Sequence, residues 1–461
     1  MILRHIQTDR KFCQHIQLSA LQQVISTQTI RTVLKECGKQ AKRERKLCAE
    51  AIVWLLIACN LFSHLSLGMV LEKICYGLRL LWPGSEEVLP GESALTYRRY
   101  QLGVRPLVAL FRHICKPLAT KDTPGAFVHG LRLMALDGHV TNLPDTKEIA
   151  AYFGRPETGR GEAAWPQVQG VYLSECGTHA VVDAGFWPIQ TSERATASRL
   201  LRSVGEGMLV MWDRGLHSYA HIAAALNRGA HVLVRLPAHV KPRLLGRLED
   251  GSWLVWLEPP EREDRANGEG LLLRMIVYTL TDPHRPGYGE THRLLSSLLD
   301  AKTAPGVELA GVYHQRWEEE LTFDEIEIHQ QRPDTLLRSR KPLGVLQELY
   351  ALLLAHYAVR FLMFQAAKKA HIAPNRLSFT RTLGLIEMAS SVICLVAPEE
   401  IPSFYERLLS DLARKPLPER RLRTNPRVVK RKMSNFNVKR TGMQHYSPSR
   451  LRPFEETVLL I

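Results

Sequence analysis

Two aspartates in this chain stand where an apolar run stops. Asp137 closes MAL within Leu133–Pro144 (LMALDGHVTNLP), and Asp213 closes LVMW within Leu209–Gly215 (LVMWDRG). A third acid, Glu320, falls in Tyr313–Glu327 (YHQRWEEELTFDEIE), seven residues after Tyr313 and four after Arg316. Short apolar runs bounded by polar residues read as strands, and the spacing around Glu320 reads as a helix. Two aspartates at strand ends and a glutamate on a helix form a hard-oxygen set suited to divalent metal. Metal sites of that kind drive phosphoryl transfer on nucleic acid.

At 461 residues the chain is long enough for two to four domains. An apolar fraction of 45% excludes a wholly disordered protein. The longest apolar run, Ala49–Phe62, is interrupted by Glu50 and Asn60 and is too short to span a bilayer, so it reads as a buried core helix. The first residues, MILRHIQTDRKFCQHIQL, lack the apolar stretch of a signal peptide. A cytoplasmic, nucleoid-associated protein with no membrane partner is the expectation. The 8 cysteines form no CxxC pair and no zinc spacing with histidine, which predicts reduced thiols and no structural zinc.

The net charge of +15 is unevenly placed. Residues 414–452 carry 13 Lys/Arg and a single acid, Glu419; residues 31–46 carry 7 Lys/Arg and 2 Glu. The remainder is slightly acidic. Positive charge gathered in two segments points to a polyanion such as nucleic acid, although a solvated helix face explains 31–46 equally well. The tail alternates basic residues with Pro, Asn, Ser, Phe436 and Tyr446, a pattern for an extended segment that tracks a phosphate backbone.

Residues 1–120 show helical spacing over Leu18–Leu34, Ala49–Leu65, Met69–Leu81 and Ser93–Leu118. Arg98, Arg99, Arg105 and Arg112 give the last of these a basic character that fits a DNA-docking module or a plain scaffold. From about residue 130 strands take over: Leu131–Leu136, Gln167–Leu173, Ala180–Phe186, Met208–Trp212 and His231–Arg235, with helices over Ser192–Val204 and His217–Arg228. Further strands are expected at Ser252–Leu257, Leu271–Tyr278 and Thr291–Leu299. One helix then runs Gly306–Gln330, and long amphipathic helices cover Val345–Ala367 and Thr380–Val396. This order predicts an α/β ribonuclease-H-like catalytic core with an inserted β subdomain. The expected domains are a helical DNA-binding domain (1–125), the catalytic domain (126–345, insertion at about 240–300), C-terminal helices (346–412) and a basic tail (413–461).

Phosphodiester chemistry needs an activated oxygen nucleophile and a neutralised leaving oxygen, and two Mg²⁺ ions roughly 3.5–4 Å apart supply both. Asp137 is placed to bridge the metals, with Asp213 and Glu320 flanking; manganese is the expected substitute. In a regular helix Tyr313, Arg316, Trp317 and Glu320 share one face. Arg316 would then fix the carboxylate or hold a phosphate, and Tyr313 would reach a phosphate oxygen; an ordinary surface Arg–Glu pair over a buried Tyr and Trp fits the spacing equally. Arg214 is a DNA contact or a brace for the turn that Gly215 permits. Asp145 reads as a turn or cap residue. Glu193 reads as a first-turn acid behind the N-cap Ser192. Trp212, Trp317, Trp253 and Trp256 suit a core better than base stacking.

LDGHVTNLPDT, MWDRGL and YHQRWEEELTFDE together resemble the DDE transposases of the insertion sequence 4 family. That family's third motif reads Y-x2-R-x3-E-x6-K, which Tyr313, Arg316 and Glu320 match, while Glu327 stands where lysine is expected. RKLCAEAIVWLLIACNLFSHLS looks like the family's N-terminal domain, RSRKPLGVLQELYALLLAHYAVR like its post-catalytic helix, and NPRVVKRKM like its basic C-terminal signature; the likeness covers roughly 40–435. It implies cut-and-paste transposition: binding of terminal inverted repeats, Mg²⁺-dependent cleavage at element ends, and joining to target DNA by a homodimer in a synaptic complex. It also implies DNA contacts at Tyr313, Arg316, Trp317, Arg214, Arg332, Arg427, Lys430, Arg431 and Lys432. Arg332 or Lys341 would supply the charge absent at Glu327. A catalytically silent sequence-specific DNA-binding derivative and a ribonuclease-H-like nuclease without insertion are the competing readings.

Overall fold

The computed structural model describes residues 24–40, 47–73, 90–158, 161–285, 287–331, 336–393, 396–418, 428–430, 437–439 and 452–461. Among them the chain opens with helices α1 (Thr27–Glu36), α2 (Ala49–Leu61), α3 (Glu92–Leu102) and α4 (Arg105–Ile114). It continues with β1 (Leu131–Asn142), α5 (Lys147–Phe153), β2 (Gln167–Glu175), β3 (Ala180–Pro188), α6 (Glu193–Leu200), β4 (Met208–Trp212), α7 (Tyr219–Leu226) and β5 (His231–Arg235). Strands β6 (Arg243–Arg247), β7 (Trp253–Leu257), β8 (Leu271–Leu280) and β9 (His292–Ser296) follow. Then come α8 (Gly306–His314), α9 (Glu318–Asp324), α10 (Pro342–Lys369), α11 (Phe379–Val392), α12 (Ile401–Ala413) and β10 (Val458–Leu460).

By internal contacts the chain divides into two units. One holds Met1–Ala126, Gly138–Thr196 and Glu318–Pro416; the other holds Phe127–Asp137, Ala197–Trp317 and Leu417–Ile461. The chain passes between them after Ala126, inside β1, inside α6, at the end of the 3₁₀ turn Gln315–Trp317 and after Pro416.

The first unit is built on helices. In α2, Ala51–Asn60 are all buried, because AIVWLLIAC is apolar on every side and leaves no face for water. It packs against α10 in a core shared with α11 and α12. The sequence predicts α10 as amphipathic; instead it is buried nearly all round, including Gln347, Glu348, His356 and Arg360. These polar groups find partners inside, so the helix needs no wet face. Its length and apolarity alone would allow it to cross a membrane, but 89% of its most apolar window is buried within the protein. Arg99 supplies much of the pairing: it donates to Gln347 Oε1 at 3.1 Å, Gly344 O at 2.8 Å and Glu348 Oε1 at 2.9 Å. Arg98 donates to Leu47 O at 2.9 Å. These two arginines therefore bind inward rather than forming a basic docking face. Strands β2 and β3 pair antiparallel as a hairpin, packed on α10.

The second unit is built on a sheet ordered β1-β4-β5-β9-β8-β7-β6. β1, β4 and β5 are parallel, with Leu133 level with Leu209 and Met211 level with Leu233. Leu133–Leu136, Leu209–Trp212 and Val232–Val234 are buried, as central parallel strands require. The β material after residue 240 does not stand apart, because β9 pairs antiparallel with β5 and carries the sheet on into β8, β7 and β6. β6 is the edge, fully exposed, with Arg243 and Arg247 discouraging further pairing. Arg274, wholly buried, donates to Ser252 Oγ at 2.8 Å and to Asp250. The sequence assigns everything past residue 413 to a basic tail. The last residues do otherwise: β10 pairs with β8, Tyr278 opposite Leu460, and Phe454 is 8% exposed.

The helix predicted over Gly306–Gln330 is helical throughout but not uniform. It runs as α8, the 3₁₀ turn, α9 and a π turn over Glu325–Gln330. Counting four or seven residues along one face assumes an uninterrupted α-helix, and here that assumption fails.

Candidate active site

Asp137 and Asp213 lie in the sheet unit. Ala135 of β1 is the register partner of Met211 of β4; Asp137 comes two residues later within β1, and Asp213 two residues later, just past the end of β4. The parallel pairing of β1 with β4 stops at Ala135 and Met211, so the two aspartates come level just beyond that ladder; neighbouring strands lie about 4.8 Å apart. Apolar side chains bury each run up to the acid, and the polar residue falls where the strand leaves the core.

Each aspartate is held in place. Asp213 Oδ1 accepts from Gly215 N at 2.7 Å and from Leu216 N at 3.3 Å, closing a turn of its own. Gly215 is needed for room rather than for a left-handed backbone: a Cβ there would sit 3.1 Å from Asp213 Oδ1. Asp137 Oδ2 accepts from Arg316 Nη1 at 2.7 Å. Arg316 is 9% exposed, with its guanidinium 5.9 Å from the Tyr313 ring centre. Tyr313 donates weakly to Trp212 O at 3.4 Å, so its hydroxyl faces the backbone just before Asp213. Burial, with the Asp213 charge adding to it, pushes the Tyr313 phenol up to about 12 against the pull of Arg316 and Arg235. Arg214 is exposed beside Asp213.

Glu320 lies in the helical unit, exposed on α9. Its helix is fixed from both ends. Glu318 Oε2 meets His179 Nε2 at 2.7 Å. Glu325, buried, accepts from Arg360 Nε at 2.7 Å and pairs with His179 Nδ1 at 3.1 Å and His356 Nε2 at 3.3 Å. Burial alone would raise the Glu325 carboxyl; Arg360 and His179 overcome it and hold it well below the usual carboxylate range. Glu327, at the position where the resemblance leads one to expect lysine, accepts from Thr141 Oγ1 at 2.9 Å and meets His139 Nε2 at 2.7 Å. Lys341 lies over the Tyr100 ring, 5.7 Å from its centre.

Trp317 belongs to the 3₁₀ turn, and its side chain lies outside the described residues, as do Arg332, Arg427, Arg431 and Lys432. Lys430 ends a short strand, Val428–Lys430, paired with Asn437–Lys439. Thr146, not Asp145, caps α5 by accepting from Ile149 N at 3.2 Å. Glu193 opens α6 as expected, and its carboxylate crowds Gly138, where a Cβ would stand 1.8 Å from Oε1. Sequence reasoning passed over His139 and Thr141. The signal available was their alternation with Asp137 on one strand.

Residues 15–112 match the family described as Insertion element 4 transposase N-terminal, and residues 129–358 match Transposase DDE domain. Transposase InsG for insertion sequence element IS4, from Escherichia coli (strain K12), is 30% identical over 419 residues, 90% of this chain and 92% of that protein. Putative transposase InsZ of Escherichia coli (strain K12) is 24% identical over 232 residues, 49% of this chain and 71% of that protein. The solved piggyBac transposase synaptic complex with hairpin DNA aligns with a TM-score of 0.40 and 12% identity, over 89% of this chain and 87% of that one. The chain belongs to the insertion sequence 4 family of DDE transposases. It is thus an enzyme that cuts and joins DNA strands.

A DDE domain implies a divalent metal. The level pair Asp137 and Asp213 fits one in chemistry, being hard carboxylate oxygens just past the last paired residues of β1 and β4. Two side chains are what the sheet unit offers: among the described residues no group of three or more His, Cys, Asp or Glu is gathered as a metal-ligand cluster.

Proposed function

We propose that this transposase binds the terminal inverted repeats of its element, cuts at their ends and joins the freed 3′-OH to target DNA, using Mg²⁺ held by Asp137, Asp213 and Glu320. The observation that carries the reading is the level placement of Asp137 and Asp213 across β1 and β4. The motif match at Tyr313, Arg316 and Glu320, inside the matched DDE domain, supports Glu320 as the third ligand. The parallel β1-β4-β5 order supports a ribonuclease-H-like core.

When bound, paired divalent ions would lower the pKa of the attacking oxygen and neutralise the leaving one. The protein's own residues do the positioning. Asp213, fixed by two backbone N–H groups, presents its carboxylate in one orientation. Arg316 balances the charge of Asp137 and limits repulsion between neighbouring acids. Exposed Arg214 contacts the phosphate backbone, as do Arg332 and the basic residues Arg427, Lys430, Arg431 and Lys432. A homodimer in the synaptic complex, a DNA-binding N-terminal domain and residence on the bacterial nucleoid complete the proposal.

The test is cleavage of a duplex carrying an element end. Asp137→Ala, Asp213→Ala and Glu320→Ala should each abolish Mg²⁺-dependent nicking while leaving DNA affinity largely intact. A variant that cuts at the wild-type rate removes its residue from the triad. Binding without nicking by the wild-type protein would favour a silent DNA-binding derivative.

A further inference from the structure

We propose that Glu327 is a positioning residue, a clasp that holds the helix bearing Glu320 against strand β1; this rests on Glu320 acting in cleavage. Residues 138–142 of β1 and the whole segment 318–331 belong to one unit. Within it, one oxygen of Glu327 takes both Thr141 Oγ1 at 2.9 Å and His139 Nε2 at 2.7 Å. Positions 139 and 141 alternate onto one face of β1, so both contacts reach Glu327 from the same side of the strand. The grip on His139 is double: its ring also lies 4.9 Å from that of Phe323, one turn before Glu327.

The opposite side of the helix is pinned independently. Glu325 and Glu327, two residues apart, point to opposite sides. Glu325 is locked to Arg360, His179 and His356, and Glu318 to His179. Glu320 lies between these fixed points. His179 itself has φ +57, a left-handed conformation that is costly without glycine and is kept here by its two carboxylate partners. A carboxylate at 327 accepts from Thr141 Oγ1 and stands at ion-pair distance from His139 Nε2, whereas an ammonium there would reverse the polarity of both contacts. The lysine expected at this position would open the clasp, so Glu327 fills a role distinct from a phosphate contact.

The experiment compares full-length variants on element-end DNA, reading single-turnover cleavage at saturating DNA and, separately, DNA affinity. Glu327→Ala should slow saturated cleavage about tenfold to a hundredfold, since small misplacements of a reacting group carry such costs, with affinity unchanged. Glu327→Gln, which keeps an acceptor oxygen, should recover most of the rate. Glu327→Lys should be as slow as Glu327→Ala despite its added positive charge. Thr141→Val, a milder change for the case where Glu327→Ala does not fold, should slow cleavage less, again at constant affinity. Wild-type cleavage by Glu327→Ala or Thr141→Val, or tighter binding with full activity in Glu327→Lys, overturns the clasp. Wild-type cleavage by Glu320→Ala overturns instead the reading on which it rests.

Discussion

Arg316 Nη1 donates to Asp137 Oδ2 at 2.7 Å, so a residue nine before the start of the π turn, on the helical segment, supplies the cation for an acid on a strand. Removing the guanidinium takes a positive charge from beside Asp137, which strengthens attraction for a divalent ion and loosens the orientation of Asp137. Arg316→Ala should therefore cut about a hundredfold more slowly at saturating DNA. It should also reach half-saturation at a lower Mg²⁺ concentration. Arg316→Lys should recover little, since an ammonium does not reproduce the planar donor set. A metal titration of single-turnover cleavage checks all three, and an unchanged rate in Arg316→Ala would remove the pairing from the mechanism.

His314 gives the sheet unit an acid sensitivity. The imidazole bonds Tyr278 Oη at 3.2 Å and lies 4.2 Å from the Phe454 ring. Burial pushes its pKa down from 6.5 to about 3, with His292 and nearby arginines adding to the effect. A depressed folded-state value means that the unfolded chain binds the proton first, so stability is present above pH 6.5 and is lost as pH falls toward 3. At pH 5 the loss is about 2 kcal/mol. Urea unfolding at pH 7.5 and pH 5 should show a smaller difference for His314→Gln than for the wild type; equal differences would assign the acid sensitivity elsewhere.

Phe454 anchors the end of the chain. Its ring lies tilted against His314, Arg285 lies 5.2 Å from its centre, and Arg285 also donates to Arg452 O. Phe454→Ala should cost about 3–5 kcal/mol in urea unfolding. Deleting 452–461 should cost more, and a deletion with wild-type stability would mean that β10 is dispensable to the sheet.

The basic tail is thus better tested by charge than by truncation. Changing Arg427, Lys430, Arg431 and Lys432 to Gln should weaken DNA binding and flatten the dependence of log K on log salt by about 3–4 units if all four meet phosphates. An unchanged slope would give these residues another task.

Much of this was legible in the sequence because it depends on local pattern. MAL and LVMW before an acid predict buried strands ending at Asp137 and Asp213; both strands are there, but the first runs on past Asp137 to Asn142. The all-apolar α2 announces its burial. What the pattern hides is set by tertiary partners. Val345–Ala367 contains Gln347, Glu348, His356 and Arg360, which read as a wet face until Arg99 and Glu325 are found inside to meet them. Tyr313 through Glu320 count as one face only in an unbroken α-helix, and the 3₁₀ turn at Gln315–Trp317 cannot be read from residue types. Glu327 looks like the loss of a cation in a motif, but its pairing with His139 and Thr141 becomes visible only when strand and helix are brought together. Phe454 sits in a stretch whose composition says solvent, and a single aromatic near the end is too little to predict a docked strand.

The crossings inside β1, inside α6 and after Trp317 have a consequence for biosynthesis. Neither unit is a continuous stretch of polypeptide, so neither can be completed as the chain leaves the ribosome piece by piece. The helical unit awaits α12 and the sheet unit awaits β10, the last strand made. A nascent transposase therefore makes Asp137 and Asp213 well before the later elements of their unit that help to hold them.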